Sequence, residues 1–540
     1  MSGNELLPQV NVTNYWRGRS GFAAYLWNAR ERDDVAGKTL HSVRMMLART
    51  WIRLLALDLD PTAPLALELS HFDTQSTKVL RVGMSAAQAV GLALRDDCDA
   101  ALPIALSCIE SAPVLQPCLV AIARVVSRLA YWKQGDLARF HDTGAFQSAT
   151  RKRRDVGVLA FDRALEAAVE LQQLRFGASS RLAQDVLALV PRRPCAHTGF
   201  ASLLATAVSF QLRYEQGALV EAEESVRDLL PLIRDRGSAE TALRIYPSLA
   251  KIARHRSHAD LAMLTLTEAE ELGQRRGWSR LVAACLEERV ELLVRAGCLD
   301  EAEARLDRVQ SQFTERCGSR YVHAAVRRHC SLAQARIGLA RAPSFRTLAI
   351  LKRLHREAIE GGDLYLANQL TIRVAEALAA LDETNDATET LMHALELGAN
   401  VGMYQSFVDG GPLVGELLRS IVERLAHGAS APASSVPAVG ERDRRFLLPY
   451  VKSVLRGWQM ANQADPSEGA RGTLRLTGPL SPRERRILQL ISRGHSNKRV
   501  ARELSIAPET VKSHAKHIFV KLGAQTRMEA VSRATTLGLI

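Results

Sequence analysis

Gly217–Val226 reads GALVEAEESV, and eighty positions later Gly297–Leu306 reads GCLDEAEARL. Both stretches open on a turn residue, continue with acidic and apolar positions, and place an alanine, Ala222 or Ala302, at the same point. In the first, Leu219, Ala222, Val226 and Leu229 or Leu230 fall on one stripe at helical spacing. Glycine at the turn permits the left-handed conformation that ends a helix. Alanine leaves room where two helices must approach closely. Similar segments begin at Asp97 (DCDAALPIAL), Gly135 (GDLARFHDTG), Gly177 (GASSRLAQDV), Ser257 (SHADLAMLTL), Ala342 (APSFRTLAIL) and Glu383 (ETNDATETLM). The eight starts are spaced 38, 42, 40, 40, 40, 45 and 41 residues apart, clearest in the middle and weakest at the first and the last two.

Each unit reads as a helix, a short turn and a second helix. Such hairpins cannot bury their apolar faces alone, so they stack into a superhelix whose concave face is a natural binding surface. The array is related to tetratricopeptide repeats but longer per unit than their usual ~34 residues. The competing reading is an all-α bundle with accidental periodicity.

Composition agrees with a helical chain of several units. The chain has 540 residues, is 47% hydrophobic and only 5% aromatic, and is rich in Ala, Leu, Arg and Glu. At ~100–200 residues per domain this predicts about three units, or one long array plus a module. The expected organisation is a helical segment over 1–90 with no assigned role, repeats over 91–426, a linker with one helix over 427–473 and a terminal domain over 474–540. Trp16, Tyr25, Trp27 and Trp51 suggest further helices in the first of these. The stretch from His427 (HGASAPASSVPA) is small, proline-containing and nearly uncharged, as a linker is. A helix is expected at about Glu441–Asn462, before a second break at Asp465 (DPSEGARG).

Charge is concentrated at the C-terminus. Ser481–Ile540 holds 12 Lys and Arg against 4 Asp and Glu, so +8 of the total +13 lies in sixty residues. This is the electrostatic footprint of a nucleic-acid binder. The first terminal helix opens with a capping box, Ser481-Pro-Arg-Glu484, and carries Ile487, Leu488, Leu490 and Ile491 up to Gly494. Ser496 caps a second helix to Leu504, with Val500, Ala501 and Leu504 inward. After the turn Ser505-Ile-Ala507, a third helix runs from Pro508 to Leu522, stopped by Gly523. Val511, Ala515, Ile518, Phe519 and Leu522 form its apolar face, and Lys512, Ser513, Lys516 and His517 lie opposite. A fourth helix, near Arg527–Leu537, carries Ala530, Val531 and Ala534.

Short helices with the second and third joined by a tight turn define a helix-turn-helix. The exposed half of the third helix enters the major groove, where Lys reaches guanine O6/N7 and Ser either kind of base edge. Ser496 and Lys498 stand where the preceding helix crosses the backbone and meets phosphate. The whole stretch from Ser481 resembles the LuxR-family C-terminal domain, through Arg483-Glu484, Gly494, Ser496-Asn-Lys498, Ala501, Leu504, Glu509-Thr-Val-Lys512, His514, Lys521-Leu-Gly523, Arg527, Glu529-Ala530 and Gly538-Leu539. The resemblance implies base contacts from Lys512, Ser513 and Lys516, and phosphate contacts from Thr510 and His517. It also implies a homodimer on a two-fold symmetric duplex site, formed through the fourth helix with Arg527, Ala530, Val531 and Ala534. His514 suits a packed position as well as a contact. Two departures are Ala507, where the family often has Ser, and Arg499, where many members carry an acid.

The repeats, together with the segment Gly410–Leu418 (GGPLVGELL), also resemble the C-terminal half of MalT-like regulators. That likeness implies a bacterial transcription regulator whose repeat domain senses an inducer. The family's N-terminal ATPase is not recognisable: the near-match Ala36-Gly-Lys-Thr39 has Arg32 where a P-loop needs glycine. The expected protein is therefore not an enzyme, takes no cofactor or metal, and has double-stranded DNA and RNA polymerase as partners. The ligand of the repeats, a small molecule or a protein, is left open. An ATP-driven regulator and a scaffold whose terminal domain docks protein are the alternatives. The basic run Arg151-Lys-Arg-Arg154 reads as a solvated face or a contact for an anionic partner.

The eight cysteines, Cys98, Cys108, Cys118, Cys195, Cys285, Cys298, Cys317 and Cys330, form no C-x-x-C pair and read as buried thiols of a reducing cytosol. Met1-Ser-Gly-Asn-Glu5 lacks the layout of a signal peptide, and the apolar stretch Pro113–Trp132 is broken by Arg124 and Arg128. No membrane contact and a cytoplasmic location are expected.

Overall fold

The computed structural model describes residues 78–111, 117–144, 156–189, 199–314, 319–427, 441–462, 482–504, 506–522, 524 and 526–536. The aromatic cluster before Trp51, the Lys38 near-match, the basic run 151–154 and the linker sequences 428–440 and 463–481 lie outside them. Every regular element among the described residues is a helix. They divide between two compact units, Met1–Glu166 with Asp185–Ser202, and Ala167–Gln184 with Leu203–Ile540.

In the first unit, α1 (Lys78–Leu94), α2 (Cys98–Ser111) and α3 (Pro117–Gln134) pack on one another, and the short α4 (Leu137–Asp142) rests on α3. Arg128 of α3 is 1% exposed. Its guanidinium pairs with Asp162, bonds Glu166 at 3.0 Å and the Phe140 carbonyl at 3.1 Å, and stacks 4.1 Å from the Phe140 ring centre. A charge can sit this deep because its donors are met on several sides.

The helices that follow are α5 (Val156–Gln172), α6 (Phe176–Leu189), α7 (Gly199–Glu215), α8 (Leu219–Arg227), α9 (Leu230–Arg236), α10 (Ala239–His255), α11 (Ala259–Arg276), α12 (Ser279–Arg295), α13 (Leu299–Thr314), α14 (Arg320–Arg341), α15 (Phe345–Glu360), α16 (Leu364–Ala380) and α17 (Thr384–Val401). From α10 to α17 successive helices pair as hairpins, and first helices also stack on first helices, α10 on α12 and α12 on α14. Met263, Leu286, Val290, Leu306, Val326 and Ile337, drawn from four consecutive helices, share one apolar cluster. Over α11–α14 the hairpins therefore share a core that no single hairpin could supply. Ala222 and Ala302 are both fully buried, as close helix approach requires.

The repeat has one backbone device. At Gly217 the N–H of Ala218 donates to Arg213 O (3.0 Å) and that of Gly217 to Tyr214 O (2.9 Å), the crossed pair that ends a helix in a left-handed residue. The same crossed pair closes the turns at Asp96, Gly135, Leu174, Ser257, Gly297 and Asp382, all with positive φ. Two sequence expectations shift accordingly. The third turn is made by Leu174, and Gly177 lies inside α6. The second helix of the Gly217 hairpin is broken into α8 and α9 because Pro231 stands at its second start. Leu230, 2% exposed, continues the buried stripe and Leu229 does not.

After α17 come the single turn α18 (Gln405–Val408), α19 (Pro412–His427) and α20 (Glu441–Asn462), the last at its expected position. The chain ends in α21 (Pro482–Ser492), α22 (Asn497–Glu503), α23 (Pro508–Lys521) and α24 (Arg527–Thr536).

Candidate nucleic-acid interface

Helix α21 supplies the floor of the terminal domain, and α22, α23 and α24 all pack against it. Ile487, Leu488, Leu490, Ile491, Val500, Val511, Ile518 and Leu522 are 0–2% exposed. Phe519 and Leu504, expected inward, are half-buried. Burial of this set fixes how α23 is rotated, and therefore which residues it presents outward.

Ser496 is the N-cap of α22 in extended conformation, its hydroxyl accepting from Arg499 N at 3.4 Å. The α22–α23 turn is closed by Ile506 N donating to Ala501 O at 3.0 Å. Ser481, Ser505, Gly523 and Gly538 are outside the described residues, so the capping box is seen only through Glu484, which is buried. Ala507 offers no side-chain cap, yet its carbonyl accepts the first bonds of α23, from Thr510 N (3.0 Å) and Val511 N (3.2 Å).

Thr510, Lys512, Ser513 and Lys516 are exposed, and Lys498 and Arg499 are exposed on α22. The Lys512 ammonium lies 4.0 Å from Glu509, with both side chains at least three-quarters exposed. An ion pair so open to water is weak and leaves the lysine available to a stronger anion. His514 is half-buried, in keeping with a packed edge position, and the side chain of His517 is outside the described set.

The fourth helix is placed by Arg527, a role the sequence did not signal. Its guanidinium donates to Ile491 O (3.3 Å), to His495 O and to Asn497 Oδ1 (3.4 Å), tying the start of α24 to the end of α21 and the start of α22. Ala530 and Ala534 are fully buried inside the domain, Val531 is half-buried, and Met528 is 83% exposed. Of the four residues expected at a dimer contact, three are thus engaged within the domain itself.

The described cysteines carry no reactive signature. Cys98, Cys108, Cys285 and Cys330 are buried and Cys298 is half-buried. Burial pushes the Cys108 and Cys330 thiols up to about 11, and Cys285 well above its ordinary value. Such thiols are inert at neutral pH. No helix among the described residues is long and apolar enough to cross a membrane.

With this geometry in view, residues 478–534 match the family described as bacterial regulatory proteins, luxR family. Residues 121–424, more than half of the chain, match the family described as the MalT-like TPR region.

Proposed function

Because the chain belongs to the MalT-like TPR family and closes in a luxR-family domain, and is thus a DNA-binding transcription regulator, we propose that its repeats bind an effector and thereby govern access of α23 to DNA. The observation that carries the DNA reading is the outward row Lys512, Ser513 and Lys516 on a helix whose other face is sealed by Val511, Ala515 and Ile518. Lys512, Ser513 and Lys516 read base edges in the major groove, and Ser496, Lys498, Thr510 and His517 meet phosphate. The protein acts as a homodimer on a two-fold site, with α24 as the contact. Among the described side chains of α24, Met528 is exposed and Val531 half-buried. The site of action is the cytoplasm of a bacterium, beside RNA polymerase. Regulation, and no catalytic step, is the output.

The test is selection from a random duplex pool by the full-length protein at two salt concentrations, with Lys512→Ala/Lys516→Ala in parallel. Enrichment of a two-fold symmetric sequence, lost in the double variant, is the expected result. Lys498→Ala should instead weaken all sequences alike and lower the salt slope by about 1. Absence of enrichment, with weak binding that salt abolishes equally in all variants, would refute base reading by α23 and favour docking to protein.

A further inference from the structure

The first helices of several hairpins converge at their C-terminal ends on one short stretch, Tyr404–Gly411. The last residue of α7, Glu215, accepts from Ser406 N (3.2 Å) and the Ser406 hydroxyl (2.8 Å), and its own carbonyl accepts from Tyr404 N (2.7 Å). Its neighbour Tyr214 donates to Asp409 Oδ2 at 2.6 Å. From the end of α10, Arg254 and His255 reach Asp409 Oδ1 at 3.1 and 2.5 Å. From the end of α12, Arg295 donates to the Asp409 carbonyl at 3.3 Å. Further along, Gly411 runs so close to Glu376 of α16 that an added Cβ would stand 2.0 Å from its carboxylate. Asp409 is 7% exposed. Burial opposes its charge, but His255, Arg254 and Lys251 outweigh it and hold the carboxyl well below the ordinary range.

The other side of this stretch is held by α20, the helix that leads into the linker before the terminal domain. Trp458 Nε1 donates to Gly410 O at 3.0 Å, and the Tyr450 hydroxyl donates to Met403 O. Gly457 lies under Tyr404, where a Cβ would come 1.9 Å from the phenolic oxygen. One stretch of eight residues therefore joins the converging ends of the repeats to the last helix described before the DNA-binding domain in the sequence.

We propose that Asp409 is a latch: while its carboxylate is held by Tyr214, Arg254 and His255, Tyr404–Gly411 keeps α20 seated, and loosening of that grip unseats α20 and alters DNA binding by the full-length protein. This rests on the reading that the repeats govern the terminal domain. The physical basis is that a buried carboxylate that loses one of its charged partners is strongly destabilised, so its surroundings are costly to change one contact at a time. An effector that shifts α7, α10 or α12 changes the donors on Asp409.

The test uses full-length wild type, Asp409→Asn and Trp458→Phe, with helix content and thermal midpoint checked first. Amide exchange is read over 441–462, and affinity is read for the selected duplex. In Asp409→Asn, exchange over 441–462 should quicken roughly tenfold or more, and affinity should move about fivefold or more from wild type. Trp458→Phe removes the bond to Gly410 without disturbing a buried charge, and should give the same two changes if Asp409→Asn does not fold. Unchanged exchange in the folded variants overturns the latch. Quickened exchange with unchanged affinity overturns its link to DNA binding. If wild type itself selects no duplex, the DNA reading has failed, and the exchange measurement still decides whether Asp409 seats α20.

Discussion

Gly415 and Trp458 are in direct register: a Cβ built on Gly415 would lie 2.4 Å from the indole ring. No flexible chain end is there to yield, because the ring's nitrogen is itself bonded to Gly410. Gly415→Ala should therefore displace α20 from α19, costing about 1–3 kcal/mol as overpacking does. The check is the chemical denaturation midpoint together with Trp fluorescence. An unchanged midpoint and spectrum would show that the helix is not seated as described.

Arg527 should be worth more than its place at the start of a surface helix suggests. Arg527→Ala removes a charged donor from the His495 and Ile491 carbonyls, of which Ile491 O keeps the Gly494 N–H, and losing such a bond costs about 1.5–3 kcal/mol. Amide exchange over 482–536 should quicken while the repeats stay protected. Arg527→Lys should recover little, since one ammonium cannot span the same acceptors. Full protection in Arg527→Ala would mean that α24 is held by its alanines alone.

The turn residues Ser257 and Gly217 share one conformation, φ +59° and +76°, but call for opposite substitutions. Ser257→Gly relieves a left-handed L-residue at an exposed site and should stabilise by about 1 kcal/mol. Gly217→Ala adds the same strain and also brings a Cβ to 2.8 Å from the Tyr404 ring. Thermal midpoints of the two variants should lie on opposite sides of wild type. A lower midpoint for Ser257→Gly would contradict the shared-turn account.

Acid should separate Asp409 from ordinary surface carboxylates. Its pKa is depressed in the folded protein, so its stabilising effect is present above the unfolded value of about 3.9 and declines as pH falls from there toward the folded pKa. The stability difference between wild type and Asp409→Asn should shrink as pH falls below about 4. Urea midpoints at pH 7, 5 and 3 measure it. A difference already gone at pH 5 would mean the carboxylate is not held by His255 and Arg254 in the folded state.

The terminal domain was legible almost residue by residue. Val511, Ala515, Ile518 and Leu522 recur at the helical period, and a helix that buries one face must expose the other, which places Lys512, Ser513 and Lys516 outward. Helical period does not distinguish a buried alanine of the domain from one at a dimer surface. Ala530 and Ala534 are small, apolar and correctly spaced for either, and only the packing of α24 against α21 decides.

The repeats divide in the same way. Glycines at 135, 217 and 297 announce left-handed turns because glycine adopts them without strain, whereas Leu174 adopts one against its own preference. What holds Leu174 there is the crossed pair of bonds and the hairpins on either side, neither of which is encoded in residue type.

The sequence by itself therefore determined the elements: helices from their period, the turns at 135, 217 and 297 from glycine, and the DNA-binding fold from caps, faces and local charge. Only the tertiary structure decided the partners of Asp409. Tyr214 and Asp409 lie 195 positions apart, and helical periodicity carries no information over such a distance. A carboxylate after a short apolar run is written the same way whether it faces water or, as here, Tyr214, Arg254, His255 and Gln405. Which it meets depends on how far each hairpin rotates against the next, a quantity set by the summed packing of the array and not by any local rule.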